Sequence, residues 1–112
     1  MNLQTIRRGA VGVVHLSGEH LDASNANEFK QHMGPLIERN PKLVLDLSEI
    51  RFMDSSGLGA ILSCLRRVNA AGGELRLCGM TRPVRALFEL VRMDCIFEIF
   101  DTEEEAVHAF VS

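Results

Sequence analysis

Residues 43–59 read LVLDLSEIRFMDSSGLG, an apolar run that passes within a few residues into two serines and two glycines. Leu43, Val44, Leu45 and Leu47 make the short, nearly continuous hydrophobic segment of a central strand covered on both faces. Asp54, Ser55 and Ser56 then supply short oxygen-bearing side chains for the unpaired amides of a first helical turn. The segment therefore predicts a buried strand, a connection, and a helix N-terminus that presents Ser55 and Ser56. Gly57 and Gly59 have no Cβ, so backbone there is expected to admit close approach by another molecule.

On the C-terminal side, Leu58, Ile61, Leu62, Leu65 and Val68 share one helical face while Arg66, Arg67 and Asn69 point away, and Gly72-Gly73 stops the helix. Glu74 to Cys78 alternates as a strand. Thr81 and Pro83 open a helix whose inner face is Val84, Leu87, Phe88 and Val91, and Ile96 to Phe100 is a last short strand. Thr102 to Glu105 is a capping box starting a terminal helix on Ala106, Ala109 and Phe110. On the N-terminal side, Leu3 to Ile6 and Val11 to Leu16 form a strand pair around Gly9. Asp22 to Arg39 carries Ala26, Phe29, Met33 and Leu36 or Ile37 at helical spacing, with Asp22 or Ser24 as N-cap. Gly34-Pro35 predicts a kink or an early end of that helix, and Asn40-Pro41 closes it. Strands alternating with helices from Val11 onward imply an α/β fold with a mixed, mainly parallel sheet of about five strands and about four helices. The first strand is antiparallel, because its connection is too short for a crossover.

With 112 residues the chain is expected to form one domain, residues 1–112, with a core of ordinary hydrophobic content at 46%. No apolar run approaches the ~18 residues of a membrane span, and no basic-then-apolar leader is present, so a cytoplasmic protein without membrane contact is expected. Cys64, Cys78 and Cys95 lack metal-type spacing and each has apolar neighbours, which predicts buried reduced thiols. A formal charge of -3, with no tryptophan or tyrosine, argues against nucleic acid and for a protein partner.

Two catalytic readings of the serine pair fail on spacing. A nucleophile elbow requires Gly-x-Ser-x-Gly, but Met53 precedes Ser55 by two and Asp54 precedes Ser56 by two. None of His15, His20, His32 and His108 is marked as a base, and His15 sits in an alternating strand pattern. A Walker loop needs a lysine, which is absent here, and the dinucleotide fingerprint needs a third glycine where Leu62 stands. No catalytic residue, metal site or cofactor is expected. What survives is the affinity of a helix N-terminus for an anion, which could be a phosphate carried by the serine itself.

Phe52 to Gly59, FMDSSGLG, resembles the signature of STAS domains of the anti-sigma factor antagonist family. Gly18-Glu19 with Leu21-Asp22-Ala23, Ala71 to Leu75, and Arg85 to Leu90 resemble further family segments, so the likeness runs over nearly the whole chain. The loop from Gly18 to Asp22 has one residue more than the family spacing. The resemblance implies that Ser55 is phosphorylated by a partner serine kinase of the GHKL type that is also the anti-sigma factor, and that a PP2C-type phosphatase reverses it. It places Asp22, Asp54, Ser55, Ser56, Gly57, Leu58 and Gly59 at the partner surface, with Ser56 a capping hydroxyl. The protein so implied is a binding switch and not an enzyme; the absence of a heptad or long exposed apolar stripe in the sequence makes a monomer the default expectation for the free protein. The alternative is a constitutive STAS scaffold or regulatory subunit of a larger complex, serving stress sensing, lipid transport, or control of secretion or biofilm formation.

Overall fold

In this computed structural model, which describes residues 1–110, the expected hairpin is β1 (Asn2–Arg8) and β2 (Val11–Ser17), antiparallel with Arg8 opposite Val11. Gly9 takes a φ of 65°, which lets the chain reverse in a tight turn. There follow β3 (His20–Leu21), α1 (Ala26–Arg39), β4 (Lys42–Asp46), β5 (Phe52–Met53) and α2 (Ser55–Ala70). The chain continues through β6 (Glu74–Cys78), α3 (Arg82–Leu90), β7 (Glu98–Phe100) and α4 (Glu103–His108). The main sheet has the order β1-β2-β4-β6-β7, with β1 antiparallel and the remaining pairs parallel, as alternation of strands and helices predicts. β3 and β5 form a separate parallel pair.

β4 lies at the centre of the sheet because both its faces are apolar. Leu43, Leu45 and Leu47 join Val14, Leu16, Leu75 and Leu77 beneath Phe29, Met33, Ile61, Cys64 and Phe88 of the three longer helices. Val44 joins Val11, Val13 and Cys78 on the other face, under Ala106 of α4 with Val107 and Phe110 packed alongside. Each fully buried large side chain contributes about 1.5–3 kcal/mol. The connections that leave the carboxyl ends of β2 and β4 lead to the N-termini of α1 and α2. The Gly9-Ala10 and Gly72-Gly73 turns lie at the opposite end of the parallel strands.

Several local expectations are corrected. α1 does not end early at Gly34-Pro35 but continues through both residues to Arg39. Pro35 is exposed, so the carbonyl four residues earlier, that of the exposed Gln31, faces water when it loses its amide partner. Asn25, not Asp22 or Ser24, is the N-cap residue of α1, while the Asp22 carbonyl accepts from the amides of Asn25 and Ala26 at 3.1 and 2.8 Å. Val91 is 47% exposed because α3 ends at Leu90. The last strand starts only at Glu98, after a 3-10 turn over Met93–Cys95. That turn leaves Cys95 exposed, whereas Cys64 and Cys78 are buried.

Candidate phosphoacceptor site

The two connections at the carboxyl end of the sheet are stitched together by backbone. The amides of Arg51 and Phe52 both donate to the Glu19 carbonyl, at 2.7 and 3.1 Å. β3 and β5 then pair, His20 beside Phe52 and Leu21 beside Met53. From below, the Thr81 hydroxyl donates to the Ile50 carbonyl at 2.7 Å, fixing the segment that enters α2.

Asp54 is the N-cap of α2, its Oδ1 accepting from the Gly57 amide at 3.0 Å. Its other oxygen, Oδ2, accepts from the Ala23 amide at 3.2 Å. Ser55 is the first residue of a 16-residue helix and is exposed, as is Ser56. Neither serine hydroxyl has a hydrogen-bond partner among the described residues. The expectation that Ser56 caps the helix is thus corrected: Asp54 stands one residue before the first helical amide, where a side-chain oxygen reaches the orphan donors, and Ser56 is already inside the helix.

The glycines differ in role. Gly57 is buried, and a Cβ there would stand 2.1 Å from the Leu21 carbonyl oxygen, so the approaching group belongs to the chain itself and not to another molecule. Gly59 is exposed with nothing within 4 Å of a Cβ position. Leu58 is 6% exposed and belongs to the core, so its side chain is not available to the expected partner surface. Asp22 is half-buried at the rim. Its Oδ1 accepts from the Ser24 hydroxyl at 2.5 Å and the Ser24 amide at 2.9 Å, with His20 Nε2 at 3.9 Å. The hydrogen bond from the Ser24 hydroxyl, ahead of the other effects, holds its carboxyl below the usual carboxylate range. Asp22, Asp54, Ser55, Ser56 and Gly59 are therefore the reachable members of the predicted set.

This arrangement suits a hydroxyl that receives a group better than one that starts an attack unaided. The partial positive charge of the helix N-terminus accommodates an anion on Ser55. Among the described residues, His20 has one carboxylate near it, Asp22 at 3.9 Å on the rim, and His15 has two, its Nε2 lying 2.7 Å from Glu103 Oε1 and 3.8 Å from Asp46 Oδ2. His15, Asp46 and Cys78 are neighbours in register on the face that α4 covers, away from α2. The donor atoms of His15, Asp46 and Glu103 fall within 4.8 Å of one another, with Arg8 also paired to Glu103 at 2.5 Å. Sequence reading misses this cluster because it joins a strand of the N-terminal hairpin to the terminal helix, and no local spacing signals it.

Comparison with known proteins agrees with this fold. Residues 2–106 match the STAS domain family. The chain is 38% identical over 111 residues to the anti-sigma F factor antagonist of Paenibacillus polymyxa, covering 96% of this chain and 94% of that protein. It is 29% identical over 94 residues to the anti-sigma-B factor antagonist of Bacillus subtilis strain 168, covering 84% and 85%. The Bacillus cell fate determinant SpoIIAA has the same fold in its phosphorylated form, with a TM-score of 0.72 at 23% identity over 97% of this chain and 99% of that one. Among the described residues, no helix is long and apolar enough to cross a membrane.

Proposed function

Because the chain belongs to the STAS domain family, we propose that it is an anti-sigma factor antagonist whose hold on its partner is switched by phosphorylation of Ser55. The observation that carries this reading is the exposed, unbonded Ser55 hydroxyl on the first residue of α2, beside a cap that already satisfies the helix. In the unphosphorylated state the surface around Ser55, Gly59 and Asp22 binds and sequesters an anti-sigma factor that is itself a serine kinase of the GHKL type. That kinase supplies the base and ATP. Ser55 Oγ attacks the γ-phosphorus, the bond to the ADP oxygen breaks, and the hydroxyl proton leaves to the kinase. A PP2C-type phosphatase restores the hydroxyl by hydrolysis.

Phosphorylation adds about 1.5–2 negative charges, taking the formal charge from -3 to roughly -5. Within the domain this charge sits at a helix N-terminus and is tolerated, so little refolding follows. Across an interface shaped for a neutral hydroxyl, with Asp54 adjacent, the same charge repels. A loss of about 3 kcal/mol lowers affinity more than a hundredfold. Phosphopeptide mass spectrometry after incubation with ATP and an extract of the native host tests the proposal, with Ser55→Ala alongside. Phosphate on Ser55 of the wild type and none on the variant is expected. In pull-downs on the kinase so identified, Ser55→Ala should bind and Ser55→Asp should not; equal binding by both would favour a constitutive scaffold.

A further inference from the structure

Asp54 spends one carboxylate on donors from two parts of the chain: the Gly57 amide on its own helix and the Ala23 amide in the loop between β3 and α1. That loop is closed on itself. Asn25 Oδ1 accepts from the Asp22 amide at 2.9 Å, Asn25 Nδ2 donates to the His20 carbonyl at 3.0 Å, and the Ser24 hydroxyl and amide bond to Asp22 Oδ1. Backbone pairing of β3 with β5 anchors the base of the loop. Its tip, Ala23, is tied to α2 by the Asp54 bond, while the Leu21 carbonyl sits against the space that a Gly57 side chain would fill.

We propose that Asp54 is a positioning residue that sets the Asp22 loop against Ser55, so that the two halves of the partner surface are held in one arrangement; this rests on the phosphoswitch reading above. Capping alone would be served as well by asparagine or serine. The second bond discriminates. A carboxylate accepts at both oxygens, whereas an asparagine that keeps its oxygen on the Gly57 amide turns an NH2 group toward the Ala23 amide, and two donors cannot bond. The amount of α2 cap and the position of the loop are thus separable by chemistry at one position.

The test uses the whole chain as Asp54→Asn, with Asp54→Ser, which caps but is too short to reach Ala23, as a second variant. Amide hydrogen exchange followed by NMR should show the Ala23 amide exchanging about tenfold faster or more, the effect of losing one charge-assisted hydrogen bond, with Gly57 still protected. In host extract with ATP, the protein concentration giving half-maximal labelling of Ser55 should rise by about tenfold, with the maximal rate little changed. Ala23 exchange equal to that of the wild type, alongside normal labelling, would overturn the linkage. A loosened Ala23 with unchanged half-maximal concentration would overturn its role in recognition. Wild-type protein that takes no label would overturn the phosphoswitch reading and the recognition role with it, while the exchange rates would still decide the linkage.

Discussion

Gly57 and Gly59 look alike in the sequence and behave oppositely in the structure. A methyl at Gly57 would collide with the Leu21 carbonyl, and backbone cannot step aside as a flexible side chain does. Gly57→Ala should therefore cost about 1–3 kcal/mol, read as a lower urea midpoint at unchanged slope. A methyl at Gly59 meets nothing, so Gly59→Ala should gain up to about 1 kcal/mol from helix propensity. The same methyl stands on the surface close to Ser55, so this stabilised variant should capture the kinase less well in the pull-down that tests Ser55. What was legible in the octapeptide was local. Asp54 reaches Gly57 across a single turn, so the pattern of acid, serines and glycine announces a capped helix start and an exposed Ser55. The reason for Gly57 was not legible, because Leu21 is brought there by the β3–β5 pair and lies far away in the chain. The same holds for Asp54, whose second bond goes to Ala23.

Among the elements, α1 shows how burial overrides a local breaking signal. Gly34-Pro35 argues for an end to the helix, yet Phe29, Met33 and Ile37 all face the core, and stopping at Gly34 would expose Ile37. The proline falls on the solvent side, where its lost hydrogen bond is least costly, and Gly34 falls where an Arg67 guanidinium nitrogen lies 3.0 Å from a Cβ position. Pro35→Ala should restore one backbone hydrogen bond and raise stability by about 1–3 kcal/mol, a gain moderated by the greater freedom of the unfolded chain. A rise in thermal midpoint checks this, and a fall would mean that the proline ring itself packs. The remaining elements were readable because their signals agree: apolar periodicity in α2, alternation in β6, and a Thr102 cap whose Oγ1 accepts from the Glu105 amide at 3.2 Å. The short strands β3 and β5 were not readable, since two residues carry no periodicity.

At the scale of the molecule, the two buried thiols make stability depend on alkaline pH. Burial pushes Cys64 up to about 11 and Cys78 up to about 12, the latter helped by the carboxylates of Asp46 and Glu103. In the unfolded chain these thiols return to the ordinary value of 9.0, so the unfolded state loses its protons first. Stability should hold below about pH 9 and fall as pH rises toward 11, visible as decreasing urea midpoints across that range. In the folded protein at pH 8, a thiol reagent should modify Cys95 fast and the other two only on unfolding. Net charge and composition pointed to a protein partner but not to any one surface; the sheet brings the proposed one together, because parallel strands send the connections bearing Asp22 and Ser55 to the same end. The Gly9-Ala10 turn is at the other end, with open space around Gly9. A surface linker attached at Ala10 alone would then immobilise every molecule in a single orientation, with the serine turned toward the solution, and association with the kinase could be timed before and after phosphorylation on one tethered sample.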